Sequence, residues 1–218
     1  MLSFYRRNWY YLAGVAFVAL SFGMGFFGHL FSSLQVILIY SFLALLVHQF
    51  EEYALPGGEP LVLNAVFYGE KRDYDRYPGN RHNGMIVNTL AYPFYLAPVV
   101  FPDLIWLGLA QMFFGFFQLV GHGLIMNVRG RSWYNPGLAS VVFLHVPIGA
   151  YYIHVITVRG LAAPADYLYG LLAFAAATAA IVVAPVQLLK DRRSPYPFSA
   201  EELDRFGMRE KLGRRGVL

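Results

Sequence analysis

The chain has 218 residues, of which 57% are hydrophobic and 14% charged, with a net charge of +4 and no cysteine. This composition excludes an ordinary soluble domain, and the lack of cysteine excludes disulfides, thiolate metal sites and a cysteine nucleophile. The long charge-free runs can each hold a membrane helix, which needs about 20 apolar residues. The sequence therefore predicts an all-α, polytopic membrane helix bundle.

The charge-free runs divide into six predicted spans, with a break at residues 28–33 between the first two. The spans are Trp9 to Phe27, Leu34 to Tyr53, Met85 to Phe101, Leu104 to Asn127, Gly137 to Val158 and Tyr167 to Leu189. Small residues let membrane helices approach closely. We expect four glycines to do so here: Gly23, Gly25, Gly121 and Gly123.

The basic residues indicate the orientation of these spans. Of the 17 Lys and Arg residues, all but Arg159 lie in the amino terminus, the second-third loop, the fourth-fifth loop or the tail. Basic residues favour the cytoplasmic side, so both ends are predicted to be cytoplasmic. Because topology and the lipid bilayer account for the positive charge, no nucleic-acid partner is expected.

The spans and loops form one transmembrane domain, residues 1–189, followed by a basic cytoplasmic tail, residues 190–218. Within the domain, residues 54–84 either fold over the membrane face as a lid or form a solvated loop. In the tail, Ser199 and Glu202 have the spacing of a capping box, which predicts a short amphipathic helix. Its basic residues are expected to rest on anionic headgroups. Apolar residues recur after the cap at helical spacing: Leu203, Phe206 and Leu212.

The end of the second span carries the most informative polar residues, His48-Gln49-Phe50-Glu51-Glu52. An ionisable side chain inside a span costs about 2.5–3.5 kcal/mol on insertion scales, so it needs a partner or a function. Glu51 and Glu52 follow His48 by three and four residues, and both can share its helix face. The pattern predicts a site where these side chains act together.

Other polar residues lie at a similar depth from the cytoplasmic end of their spans, and they can converge with His48. His122 and His145 are the candidate ligands among them. Four amides would orient the ligands: Asn88, Gln118, Asn127 and Asn135. Three histidines are placed outside the core site: His29, His82 and His154.

Two or three imidazoles with one or two carboxylates suit zinc, non-haem iron or manganese, and helix bundles build such sites in their cores. The predicted ligands are His48, Glu51, Glu52, His122 and His145, holding one or two divalent ions, zinc or iron. His48, Glu51 and Glu52 are also the candidate catalytic residues. A glutamate that does not bind metal would serve as general base.

The motif at residues 48–52 resembles the signature of the HXXEE family of bacterial integral membrane proteins. His122 and the Asn135-Pro136-Gly137 sequence also resemble that family's pattern, so the similarity covers most of the chain. The resemblance implies an inner-membrane location, a site defined by His48, Glu51 and Glu52, and His122 as the next residue. It implies no particular reaction.

Three functions remain open at this point. The first is a metal-dependent membrane enzyme, an oxidoreductase or a hydrolase, acting on a lipophilic small molecule. The second is a metal-free isomerase that moves a proton with a buried Glu and His. The third is a protein that binds or transports a cation or proton. It ranks last because the polar cluster lies near one face and no repeat is evident.

Overall fold

The computed structural model describes all 218 residues, and every regular element in it is helical. The helices in chain order are α1 (Leu2–Phe27), α2 (Ser33–Tyr53), the short α3 (59–67), α4 (Arg81–Val100), α5 (Ile105–Arg129), α6 (Leu138–Val158), α7 (Pro164–Leu189), α8 (Ala200–Asp204) and α9 (Met208–Arg214). The predicted all-α fold is confirmed.

Five of these helices are long and apolar enough to cross a membrane, namely α1, α2, α5, α6 and α7. The chain is therefore a membrane protein with several spans. Helix α4 covers the third predicted span and has 20 residues, but it is not among the five. Its first eight residues include Arg81, His82, Asn83 and Asn88, which lower its apolar character. The sixth span stays a prediction.

Capping boxes define where two of the helices, α2 and α4, begin. Ser32 and Gln35 form a capping box that begins α2, directly after the predicted break at residues 28–33. Asn80 and Asn83 form a second capping box that begins α4. The Asn80 side-chain amide also donates to the Leu189 carbonyl at 3.1 Å. The start of α4 is thereby tied to the end of α7.

Close helix packing uses other glycines than those predicted from the sequence. The prediction is wrong for Gly23, Gly25 and Gly121, since a Cβ at any of them would have no neighbour within 4 Å. Gly149 of α6 shows what close packing requires. A Cβ there would lie 2.6 Å from the Phe116 ring of α5. The space beside Gly121 is relevant to the cavity described below.

Residues 54–84 and the tail fold together at one end of the bundle. Leu61 and Val62 of α3 are buried in one hydrophobic cluster with Leu203, Met208 and Leu212 of the tail. The predicted capping box of Ser199 and Glu202 is present, and Leu203 and Leu212 are buried against protein. The prediction of one helix is wrong at Phe206, whose φ of 60° separates α8 from α9 and whose side chain is 46% exposed.

Glu202 links the tail to the bundle. Its carboxylate pairs with the Arg81 guanidinium, accepts from the Ser199 backbone N–H at 2.7 Å and accepts from the Tyr10 hydroxyl at 3.4 Å. Burial acts to raise the pKa of Glu202, but hydrogen bonds from Arg81 and Ser199, with the Arg81 charge, hold it below its ordinary value. Folding therefore favours the ionised form.

This pairing predicts a pH dependence of stability in detergent. A carboxyl whose pKa is lowered on folding stabilises the protein fully above its ordinary pKa of about 4.5, and the contribution is lost as the pH falls through the folded-state value. We expect Glu202→Gln to lower the Tm at pH 7 and to flatten the fall of Tm below about pH 4.5. The exposed Glu210→Gln is the control. If the Tm of Glu202→Gln changed with pH in the same way as the Tm of the wild type, this role of Glu202 would be contradicted.

Candidate metal centre

The site is built around the last two turns of α2. His48 and Glu52 are one helical turn apart, and His48 Nε2 lies 3.4 Å from Glu52 Oε1. His122 of α5 approaches from the other side, with its Nε2 3.3 Å from the same oxygen. One ligand atom from each of these three residues lies within 4.8 Å of the others. Both imidazoles are 2% exposed, so the cluster is inside the protein.

The hydrogen bonds of His48 define which ring nitrogen carries its proton. Nδ1 lies 3.2 Å from the Gly137 carbonyl oxygen and 3.0 Å from the Ser140 hydroxyl. A carbonyl oxygen can only accept, so Nδ1 is the donor. In the neutral ring, Nε2 therefore presents a lone pair to Glu52.

Asn135 gives His122 the same tautomer as His48, with the proton on Nδ1. The Asn135 amide nitrogen donates to the His122 carbonyl and to Asn127 Oδ1, both at 2.8 Å, which fixes the orientation of the amide. Asn135 Oδ1 then faces His122 Nδ1 at 2.7 Å and must accept from it. His122 Nε2 is left with its lone pair directed at Glu52.

Three electron-rich atoms thus converge: two imidazole lone pairs and one carboxylate oxygen. Such an arrangement is repulsive unless a cation or a proton lies among them. Metal-binding histidines almost always donate their other ring N–H to a carbonyl or another acceptor, which is the pattern of His48 and His122. The donor set, two imidazoles and one carboxylate, fits zinc or iron.

Gly137 determines how closely the histidines approach the α5–α6 loop. Its φ is 102°, a left-handed conformation that side chains disfavour. A Cβ at this position would lie 2.5 Å from His122 Cε1 and 3.0 Å from His48 Cε1. Only glycine both adopts this left-handed conformation readily and leaves room for the two histidine rings, which accounts for the glycine of the Asn135-Pro136-Gly137 sequence beside the site.

Glu51 has a different environment from Glu52. Its carboxylate accepts from the backbone N–H groups of Ala139 and Ser140 at 3.1 and 2.8 Å, from the Ser140 hydroxyl at 2.6 Å and from the Tyr134 hydroxyl at 2.8 Å. It thereby occupies the amino-terminal end of α6, where negative charge is favourable. The structure does not bring Glu51 into the three-residue cluster, because both of its oxygens are used to hold α6 against α2.

His145, the third predicted histidine ligand, lies beside the cluster and outside it. Its ring centroid is 5.5 Å from that of His48, in an edge-on arrangement. Its Nε2 is buried without a hydrogen-bond partner, as is the hydroxyl of Tyr95, whose ring lies 6.4 Å away. The structure therefore places His145 in contact with the His48 ring.

The four amides predicted to orient the ligands divide into two pairs. Asn135 and Asn127 form the hydrogen-bonded chain behind His122. Asn88 and Gln118 instead line a cavity next to the cluster. Asn88 donates to the Gly84 carbonyl at 2.9 Å, within its own helix.

The cavity has a volume of about 290 Å³ and is bounded by α2, α3, α4, α5 and α7. His48, Glu52 and His122 are among the residues that line it, and most of the other lining residues are apolar. It is close in size to the smaller ligand pockets, which start at about 300 Å³. The cluster therefore adjoins a cavity close to the size of a small-molecule pocket.

Sequence reasoning missed Glu59, the first residue of α3, which also lines this cavity. Glu59 is 2% exposed, and its Oε2 has no hydrogen-bond partner. Burial raises the pKa of Glu59 well above its ordinary value; His122 acts against this shift, and Glu52 adds to it. The available signal was a lone acid at the start of an otherwise mostly apolar stretch, residues 61–68.

The helical bundle and the buried His/Glu cluster define a membrane protein with a candidate metal centre at one end. The sequence matches the family described as proteins of unknown function with an HXXEE motif over residues 39–152, more than half of the chain. The chain belongs to this family, as the motif at His48, Glu51 and Glu52 predicted. Comparisons with curated proteins and with solved structures find no match.

Proposed function

We propose that this protein is a metal-dependent membrane enzyme, a hydrolase or an oxidoreductase, that acts on a lipophilic small molecule. His48, Glu52 and His122 would hold one divalent cation, zinc or iron. The observation that carries this proposal is the pair of Nε2 atoms at 3.4 and 3.3 Å from one carboxylate oxygen, each in a ring whose Nδ1 is a hydrogen-bond donor. This geometry leaves a place for a cation.

The adjoining cavity supports the choice of an enzyme with a lipophilic substrate. A bound divalent cation would polarise a substrate oxygen or activate a bound small molecule. Glu59 is the residue of the cavity best suited to general acid–base work, because its Oε2 is buried and has no partner in the protein. The apolar wall would hold the rest of the substrate away from water.

We further propose that α4 also crosses the membrane, as the third of six spans in chain order. Both ends of the chain would then lie in the cytoplasm, with the spans in a bacterial inner membrane. The basic segments meet at one end of the bundle, where the Arg6 side chain donates to His82 at 3.3 Å and Arg131 donates to the Arg215 carbonyl at 3.1 Å. Arg159 donates to Ser33 at 2.6 Å, between the start of α2 and the end of α6. This segregation supports the positive-inside orientation.

Metal content tests the proposal. We expect protein purified in detergent to contain close to one zinc or iron ion per chain by elemental mass spectrometry, and His48→Ala and His122→Ala to lose it. The exposed His154→Ala is the matched control and should retain the metal.

Three results would contradict this proposal. Equal metal in all four proteins would place the ion elsewhere. Wild-type protein that contains no metal and takes up neither zinc nor iron would leave a proton between the histidines and Glu52, which favours the isomerase. Zinc or iron that accumulates inside proteoliposomes would instead indicate transport.

A further inference from the structure

Helices α5 and α7 form one wall of the bundle, and the distance between them changes along their length. In the half that contains Gly170 they touch. A Cβ on Gly170 would lie 2.8 Å from Leu109 Cβ and 3.1 Å from the Trp106 carbonyl oxygen. No molecule can pass between the helices at this level.

Phe117 of α5 still packs on Phe174 of α7, with ring centroids 5.5 Å apart, and beyond this contact, next to the candidate metal centre, the cavity separates the two helices. Phe117, Gly121 and Ile125 line it on the α5 side, and Val182 and Val183 line it on the α7 side. Both helices change to π-helical turns here, at residues 119–126 and 178–183. The cavity thus lies in a gap between the two helices.

The gap opens towards the outer, apolar surface of the bundle. Phe117 and Val183 are 45% and 50% exposed, although both line the cavity. A Cβ on Gly121 would meet no atom within 4 Å, so no side chain fills the space beside it. In a membrane, lipid chains would face this opening.

The two ends of the cavity differ in chemistry. His48, Glu52, His122 and Glu59 line the cavity at the candidate metal centre, and the exposed residues that line the gap, Phe117 and Val183, are apolar. No Lys or Arg lines any part of the wall, so the protein offers no partner for a phosphate or sulfate headgroup. A cation held at the cluster, as proposed above, would repel an ammonium head and attract an oxygen atom. An occupant that matches both ends therefore has an apolar chain and an uncharged head that contains oxygen.

We propose that the gap between α5 and α7 is a lateral portal through which a neutral single-chain amphiphile, such as a long-chain alcohol or ester, enters from the bilayer. Its head reaches Glu52 and Glu59, and its chain lies between Gly121 and Val183. The portal rests on the proposed function for its purpose, but its existence can be tested without any assay of activity.

The test uses hexadecanol that carries a diazirine in mid-chain, added to the full-length protein in phosphatidylcholine nanodiscs. After photolysis, labelled residues are mapped by peptide mass spectrometry. We expect labelling of Leu45 and Ala91, which line the cavity but are 3% and 4% exposed. Exposed Phe22 of α1 reports labelling by probe in the surrounding lipid.

Gly121→Trp places an indole in the gap, and Gly25→Trp is its matched control because Gly25 is equally open and lies on α1. We expect interior labelling to fall roughly tenfold or more in Gly121→Trp, as for a binding loss of about 1.4 kcal/mol, and to be unchanged in Gly25→Trp. Hexadecyl phosphate carrying the same diazirine should label the interior weakly in every variant.

Labelling confined to exposed residues, or interior labelling that persists in Gly121→Trp, would overturn the portal. In the second case, entry would be past Tyr68, at the α3 end of the cavity. Metal content of the same samples separates the two proposals. Bound metal without interior labelling removes the portal alone, and interior labelling without bound metal removes the metal centre alone.

Discussion

Gly137→Ala is expected to abolish metal binding and to lower the free energy of unfolding by about 2–5 kcal/mol. An alanine in a left-handed conformation costs about 1–2 kcal/mol, and overpacking a buried site costs about 1–3 kcal/mol. The new methyl group would lie 2.5 Å from His122 Cε1, so the ring must move. Movement of His122 separates its Nε2 from Glu52. Metal content and thermal unfolding in detergent measure the two effects.

Gly160→Ala is the matched control for this prediction. Gly160 also has a positive φ, 62°, but a Cβ there would meet nothing within 4 Å. The control carries the conformational cost without the collision, so it should lose about 1–2 kcal/mol and keep its metal. If the metal content of Gly137→Ala were equal to that of Gly160→Ala, the account of how Gly137 holds the two histidines in position would be wrong.

The neighbouring carboxylates are expected to respond in opposite ways to the same substitution. Glu52→Gln should reduce metal affinity by more than the roughly 10–100-fold that is typical when a partner behind a ligand is removed. Without metal its Tm should be equal to or above that of the wild type, because the new amide can donate to the lone pair of His48 or His122.

Glu51→Gln should instead lower stability and retain metal. Its carboxylate accepts four hydrogen bonds at the start of α6, and hydrogen bonds to a charged group contribute about 1.5–3 kcal/mol each. Chelator competition and thermal unfolding with the metal removed measure the two quantities. A loss of metal in Glu51→Gln with unchanged Tm, together with bound metal in Glu52→Gln, would reverse the assignment.

Much of the site could be predicted from local sequence. The four-residue spacing of His48 and Glu52 places them on one helix face, and the position of His122 near the same end of its helix allows the three to meet. Asn135 was predicted to orient a ligand because it adjoins the loop that follows His122, and it accepts from the His122 ring.

The different roles of Glu51 and Glu52 could not be predicted from helix spacing. Both residues share a face with His48, and the difference depends on the rotation of α2 relative to the amino-terminal end of α6. Ser140 and Gly137 contact the motif from about 90 residues away in sequence, so no local pattern reveals them. Glu59 was missed although it precedes an apolar stretch, because its burial beside the cluster depends on how α3 packs.

Helix packing shows the same limitation. Gly23 and Gly25 are small enough for close approach, but contact also requires a partner helix, and a Cβ at either position would meet nothing within 4 Å. Gly149 meets Phe116 because α5 and α6 cross at that point. Which glycines are used depends on the crossing points of the helices, which composition does not specify.

X-ray absorption at the metal edge of the purified protein tests the central claim most directly. We expect nitrogen and oxygen ligands, for zinc at about 2.0–2.2 Å, and outer-shell scattering from two imidazoles. Any metal that His122→Ala retains should show the scattering of one imidazole. A wild-type spectrum without imidazole scattering, or one that His122→Ala leaves unchanged, would show that His48 and His122 do not bind the metal.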